Sequence, residues 1–196
     1  MIGEWVYNLF GGSLEGLALA IFFIFLLDAL LIPALPELFF IIAYMGGKSY
    51  GAGLEYGVAL ILMAALAELV GIFTLYFVVK RIRIPKKIEK LVNKYTKFLI
   101  LGDERLLLLN RIAPVIPFAG AFIAISGWDP KKSAAYIVLG CVIKFGVILL
   151  LAKALYDFFD SSQAEMFSII MIFVVIGIST ASSVLYKRRH NLDGEE

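Results

Sequence analysis

The chain has 196 residues, 61% of them hydrophobic, and a formal net charge of +2; its mean hydropathy is +0.91. Soluble domains are closer to half apolar, and one of this length has too little interior to hide so many Leu, Ile, Val and Phe side chains. The composition therefore excludes an ordinary soluble domain and predicts an all-α integral membrane protein.

Nothing at the start reads as a cleavable signal, because "MIGEWVYNLFGGSLEG" has no basic region before the apolar run. Its Trp5 and Tyr7 suit a membrane interface. The first long apolar region is 14–32, with Asp28 near its end. It is followed by 33–47, which is too short to cross and carries Pro33, Pro36 and Glu37. A short segment broken by proline predicts a re-entrant element, since free backbone groups are tolerated at membrane depth only inside protein or beside a cavity. Region 54–79 is long enough to span and holds Glu68 near its middle.

The stretch "KRIRIPKKIEKLVNKYTK" at 80–97 is basic, with Ile84, Ile88, Leu91, Val92 and Tyr95 at helical spacing. It predicts a surface amphipathic helix, cytoplasmic by the positive-inside rule. Region 98–127 can enter and return, broken at Arg111, Pro114 and Pro117. Spans are predicted at 133–156 and 164–186, and the tail 187–196 ends "KRRHNLDGEE". The basic tail also belongs on the cytoplasmic side, whereas the connection around Asp157, Asp160 and Glu165 lacks positive charge and belongs outside. The N-terminus is inside if 14–32 spans, and outside if it is one arm of a hairpin.

The two breaks resemble each other. "PALP" starts at Pro33 and "PVIP" at Pro114; a glycine follows ten residues after the second proline in both, Gly46 and Gly127, and a long apolar helix comes next. Four of the six prolines serve these two motifs. The pattern predicts a duplicated unit, 14–79 and 98–157, each a re-entrant hairpin plus one span, with 164–186 an additional helix. A unit that crosses once must be inverted in its second copy, which is a transporter architecture.

Charged residues in such segments are costly and ordinarily face a partner, a cavity or a pathway. Lys153 and Asp157 are four apart, an ordinary helix pair near the surface. Lys144 lies about 16 Å along its helix from Ser133, too deep to snorkel easily. Glu68 lies at similar depth in the other unit, so a Glu68–Lys144 pair is expected, either a structural salt bridge or a proton- or headgroup-linked site. Arg111 offers a planar fork of donors suited to phosphate or to a carboxylate clamp between the units. Gly120, Ala121, Ala124 and Gly127 permit close helix packing and leave room for a homodimer. There is no phosphate-binding Gly-Lys-Ser/Thr loop and no histidine-based metal or hydrolase set, since the one histidine, His190, is in the tail. The single cysteine, Cys141, excludes an internal disulfide. No enzyme activity, cofactor, metal or nucleic-acid partner is expected.

"DALLIPALPE", with Asp28, Pro33, Pro36 and Glu37, and "RIAPVIPF", with Arg111, Pro114, Pro117 and Phe118, resemble the two motifs of the DedA family, also called the VTT or SNARE-associated superfamily. Glu68 and Tyr76 are similar to the acidic residue and later tyrosine of its middle helix, and the resemblance covers about residues 14–157. Asp28 stands where the family usually has Glu, Pro117 where the bacterial branch has a second arginine, and Phe122 near an asparagine of the VTT-like branch. The resemblance implies two re-entrant hairpins facing each other in a multi-pass cell-membrane protein. It also implies movement of a phosphate-bearing lipid, polyprenyl phosphate or phospholipid, possible proton coupling included. The residues alone also allow a proton-coupled transporter of a small solute, or a scaffold whose charges only hold the units together.

Overall fold

A computed structural model describes residues 2–9, 12–30, 35–82, 103–112, 116 and 118–189. Pro33, Pro114 and Pro117, nearly all of the basic 80–97 segment and the tail from His190 lie outside the described residues. The described elements are all helical: α1 (Ile2–Leu9), α2 (Leu14–Leu30), α3 (Pro36–Ser49), α4 (Leu54–Arg81), α5 (Leu106–Ile112), α6 (Ala119–Ile125), α7 (Pro130–Phe158) and α8 (Ser161–Arg189).

Three of them, α4, α7 and α8 over Ser161–Leu185, are long and apolar enough to cross a membrane. They sort their side chains by size as much as by polarity. In α4 the inward face carries Leu60, Ala64, Ala67, Gly71 and Ile72, while Leu62, Leu66, Val70 and Phe77 are exposed. Small inward residues allow backbones to approach closely where lipid tails remove any hydrophobic drive between helices. A Cβ on Gly71 would meet Ala29 Cβ of α2 at 2.6 Å, and one on Gly140 of α7 would meet Arg111 Cγ of α5 at 2.7 Å.

Helix α2 packs along α4, α6 also packs on α4, and α5 packs on α7; α4 and α7 touch each other, and α8 lies against α3 and α7. The buried side chains form two clusters. One gathers Phe25, Phe40, Tyr44, Leu60 and Phe145 from α2, α3, α4 and α7. The other gathers Ile72, Leu106, Phe122, Trp128 and Ile137 from the second half of α4, the short helices and the start of α7. The seam between them falls between Ala67 and Ile72 on α4, where Glu68 lies, and between Ile137 and Cys141 on α7.

Helix ends follow local chemistry, and several differ from the expected limits. α7 starts at Pro130 rather than 133 because Asp129 caps it: the Lys131 and Lys132 N–H groups donate to Asp129 Oδ1 at 2.7 and 3.1 Å. Proline is at ease in the first turn, where its missing donor is not needed. The same backbone bonds, from Lys132 and Lys131, hold the Asp129 carboxyl below the usual aspartate range. α8 starts at Ser161 rather than 164, and α4 runs on through Lys80 and Arg81, whose charges suit a helix C-terminus.

Gly46 and Gly127, equally spaced from proline, take different places in their helices. Gly127 ends α6 in the left-handed region at φ +68°, with Trp128 N–H donating to Ile123 O. Gly46 is buried inside α3. The glycine that ends α3 in a similar way is Gly51, at φ +80°, where Ala52 N–H donates to Gly47 O and Gly51 N–H to Lys48 O. Both endings use the six-to-one backbone bond of a glycine-terminated helix. Helices α3 and α6 differ in length, 14 and seven residues, so equal spacing from proline does not bring a glycine to the same place in both.

Gly120 fixes a close crossing of α6 on α4. A Cβ there would lie 2.2 Å from Ile72 O and 3.1 Å from Tyr76 N, both backbone atoms that cannot swing aside. Gly120→Ala is expected to lower the melting temperature of the purified protein by forcing α6 off α4, an overpacking cost of about 1–3 kcal/mol. Gly146→Ala, with nothing within 4 Å of the added carbon, serves as the matched control. It is expected to be neutral or stabilising by about 0.5–1 kcal/mol.

Candidate functional site

The fold brings together at one place the five charged residues singled out from the sequence. Asp28 at the end of α2, Glu37 in the first turn of α3, Glu68 in α4, Arg111 in α5 and Lys144 in α7 all line a cavity of about 550 Å³. That volume is in the range of small-molecule sites. Of the four hairpin prolines, Pro36 lines it as well.

The charges pair crosswise. Arg111 Nη1 donates to Glu68 Oε1 at 2.9 Å, and Lys144 Nζ donates to Glu37. The expected Glu68–Lys144 pair is therefore replaced by two others: α5 supplies the hydrogen-bonded partner of Glu68, and α3 that of Lys144. The carboxylate that clamps Arg111 is Glu68. The Glu68 side chain is only 3% exposed and that of Arg111 16%. Glu68 Oε2 and Arg111 Nε have no hydrogen-bond partner among the described residues, so each keeps bonding capacity at the site. A buried carboxylate oxygen left in this way is costly and invites a donor.

The second break is braced by Asn110, which sequence reasoning passed over. Its Oδ1 accepts from Ile116 N–H at 2.7 Å, bridging from α5 across the break. Asn110 thereby ties Ile116 to α5 and is also a wall of the cavity. Its place directly before Arg111, polar within "LLLLNRI", was the available signal. Ser179 and Thr180 of α8 also line the cavity, with Ile176. They belong to the polar run "GISTASS" of a helix that had been read only as an appendage.

One wall is aromatic. Phe145 adjoins Lys144 and stacks against Phe25 and Phe40, with ring centroids 5.0 and 4.9 Å apart. The three rings are fully buried, so the cavity ends there in packed apolar side chains. Apart from the Lys153–Asp157 surface pair, the site accounts for the expected intramembrane charges.

Among the described residues no group of His, Cys, Asp and Glu has the arrangement of a metal site. When all are ionised, the three carboxylates exceed the two cations by one negative charge. The arrangement can hold a polar or charged group away from lipid, exchange partners among its carboxylates and cations, and take up protons as it does so.

Compared with known proteins, the chain matches no family model, no curated protein and no solved structure.

Proposed function

We propose that this protein is a lipid flippase or scramblase, built as an inverted repeat of hairpin plus span, that moves a phosphate-headgroup lipid across the membrane with linked proton uptake. The observation that carries the reading is the charged cavity itself: a desolvated arginine and lysine, each held by a carboxylate that a headgroup could replace. Arg111 would bind the phosphate with its planar fork, and Lys144 would add a second charge. Asp28, Glu37 and Glu68 would take up protons or change partners. A phosphate entering a site that already carries excess negative charge is favoured only when carboxylates are neutralised, which links its binding to protons. The tail remains in lipid, so only the headgroup needs a polar path. No covalent step is assigned.

Several features support the repeat. α5 and α6 are each seven residues long, about 10 Å at the α-helical rise, against a hydrocarbon core of about 30 Å. Their outer ends meet, since Asp129 N–H donates to Glu104 Oε1 at 2.8 Å. The α2–α4 crossing at Gly71 corresponds to the α5–α7 crossing at Gly140, and α6 on α4 to α3 on α7. All three acids come from the first unit and both bases from the second. The resemblance to the DedA motifs agrees with this reading, which places the basic segment and tail in the cytoplasm.

The scaffold alternative draws on one observation, that both cations already have partners. Reconstitution separates the readings. Proteoliposomes carrying a fluorescent phospholipid are expected to exchange it between leaflets faster than protein-free vesicles, with polyprenyl phosphate competing. Movement of a soluble solute on a pH gradient without lipid exchange would favour the small-solute transporter instead.

A further inference from the structure

Two helix N-caps at the cavity break the same local rule. Leu35 caps α3 and Phe118 caps α6, and neither makes a side-chain capping hydrogen bond. Ser, Thr, Asp and Asn are the favoured residues there, because their oxygens accept from first-turn N–H groups. Instead both positions carry a large apolar side chain, and both side chains line the charged cavity. They are also open: Leu35 is 51% exposed and Phe118 45%. Phe118 is held at φ 56°, the one described non-glycine residue with positive φ, at a position that Gly or Asn would occupy with less strain. Local rules broken at matching places beside a site are where function is expected to override stability.

Resting on the lipid reading, we infer that Leu35 and Phe118 form the port through which the ligand's hydrocarbon chain leaves the cavity. They are the residues that select a tailed phosphate over a free one. The cavity is continuous from the Arg111 and Lys144 cations to these two exposed apolar side chains. A phosphate held by the cations would place its first methylene or isoprene units against Leu35 and Phe118, and the remainder in lipid. A free phosphate or a tail-less phosphate ester gains nothing from either side chain.

The test uses the double variant Leu35→Asn/Phe118→Asn. Asparagine is a favoured N-cap and tolerates the left-handed region, so the variant is expected to fold at least as stably as the parent. In proteoliposomes its exchange of a fluorescent long-chain phospholipid is expected to fall at least tenfold. Binding of glycerol 3-phosphate to the purified protein is expected to change less than twofold. In parallel, farnesyl phosphate with a diazirine beside the phosphate is photolysed with the unaltered protein, and labelling is expected at Leu35 and Phe118. Unchanged lipid exchange by the variant, or labelling confined to other residues, overturns the port. Labelling at the two residues with no lipid exchange by the parent keeps the port and sinks the transport reading.

Discussion

Arg111→Ala is expected to stop lipid exchange and also to destabilise the protein. Arg111 is the partner of a carboxylate that is almost wholly buried, and removing one member of such a pair leaves the other without compensation. Losses of about 3–5 kcal/mol are typical. The effect should be smaller at low pH, where Glu68 takes up a proton and the uncompensated charge disappears. The reciprocal change Glu68→Ala should behave alike, except that low pH gives no relief, because arginine keeps its charge. Replacing both residues by methionine is expected to restore most of the stability, since an apolar pair of similar volume removes both desolvation costs. The measurement is the melting temperature of each purified variant at two pH values.

The second large effect concerns Glu37 and Lys144. Lys144→Glu would set two carboxylates together in a partly buried place, and Glu37→Lys two ammonium groups. Each single reversal is expected to cost about 3 kcal/mol or more, visible as lost folded yield. The double reversal, Glu37→Lys with Lys144→Glu, recreates the pair and should recover the yield. Its lipid exchange should stay at least tenfold below the parent's, because the cation now sits on α3 and no longer on α7, against which the Arg111 helix packs. Full recovery of exchange along with folding would mean that the pair acts only as a clamp between the units.

Much of the site was legible because charge is rare in a chain this apolar. Asp28, Glu37, Glu68, Arg111 and Lys144 stood out against their segments, and all five line one cavity. Their pairing was not legible. Periodicity gives depth along a helix, but which neighbour faces Glu68 depends on how α5 crosses α7 at Gly140. Hydropathy also placed the start of α7 too late, although Asp129-Pro130 is a recognisable helix start. The Gly46–Gly127 spacing did not reveal which glycines end the helices, because α3 is twice the length of α6. Asn110, Ser179 and Thr180 carry no charge, and in isolated helices small polar side chains look like ordinary packing residues. Beyond the place of Asn110 directly before Arg111, only the assembled cavity distinguishes them.

The central claim is that the cavity charges act on a lipid headgroup rather than merely joining the two units. It is tested most directly by the Arg111→Met/Glu68→Met variant, reconstituted after its melting temperature has shown that it is folded. The account predicts phospholipid exchange at the protein-free rate in vesicles that match the parent in protein content. Exchange at the parent's rate by this folded variant would contradict it.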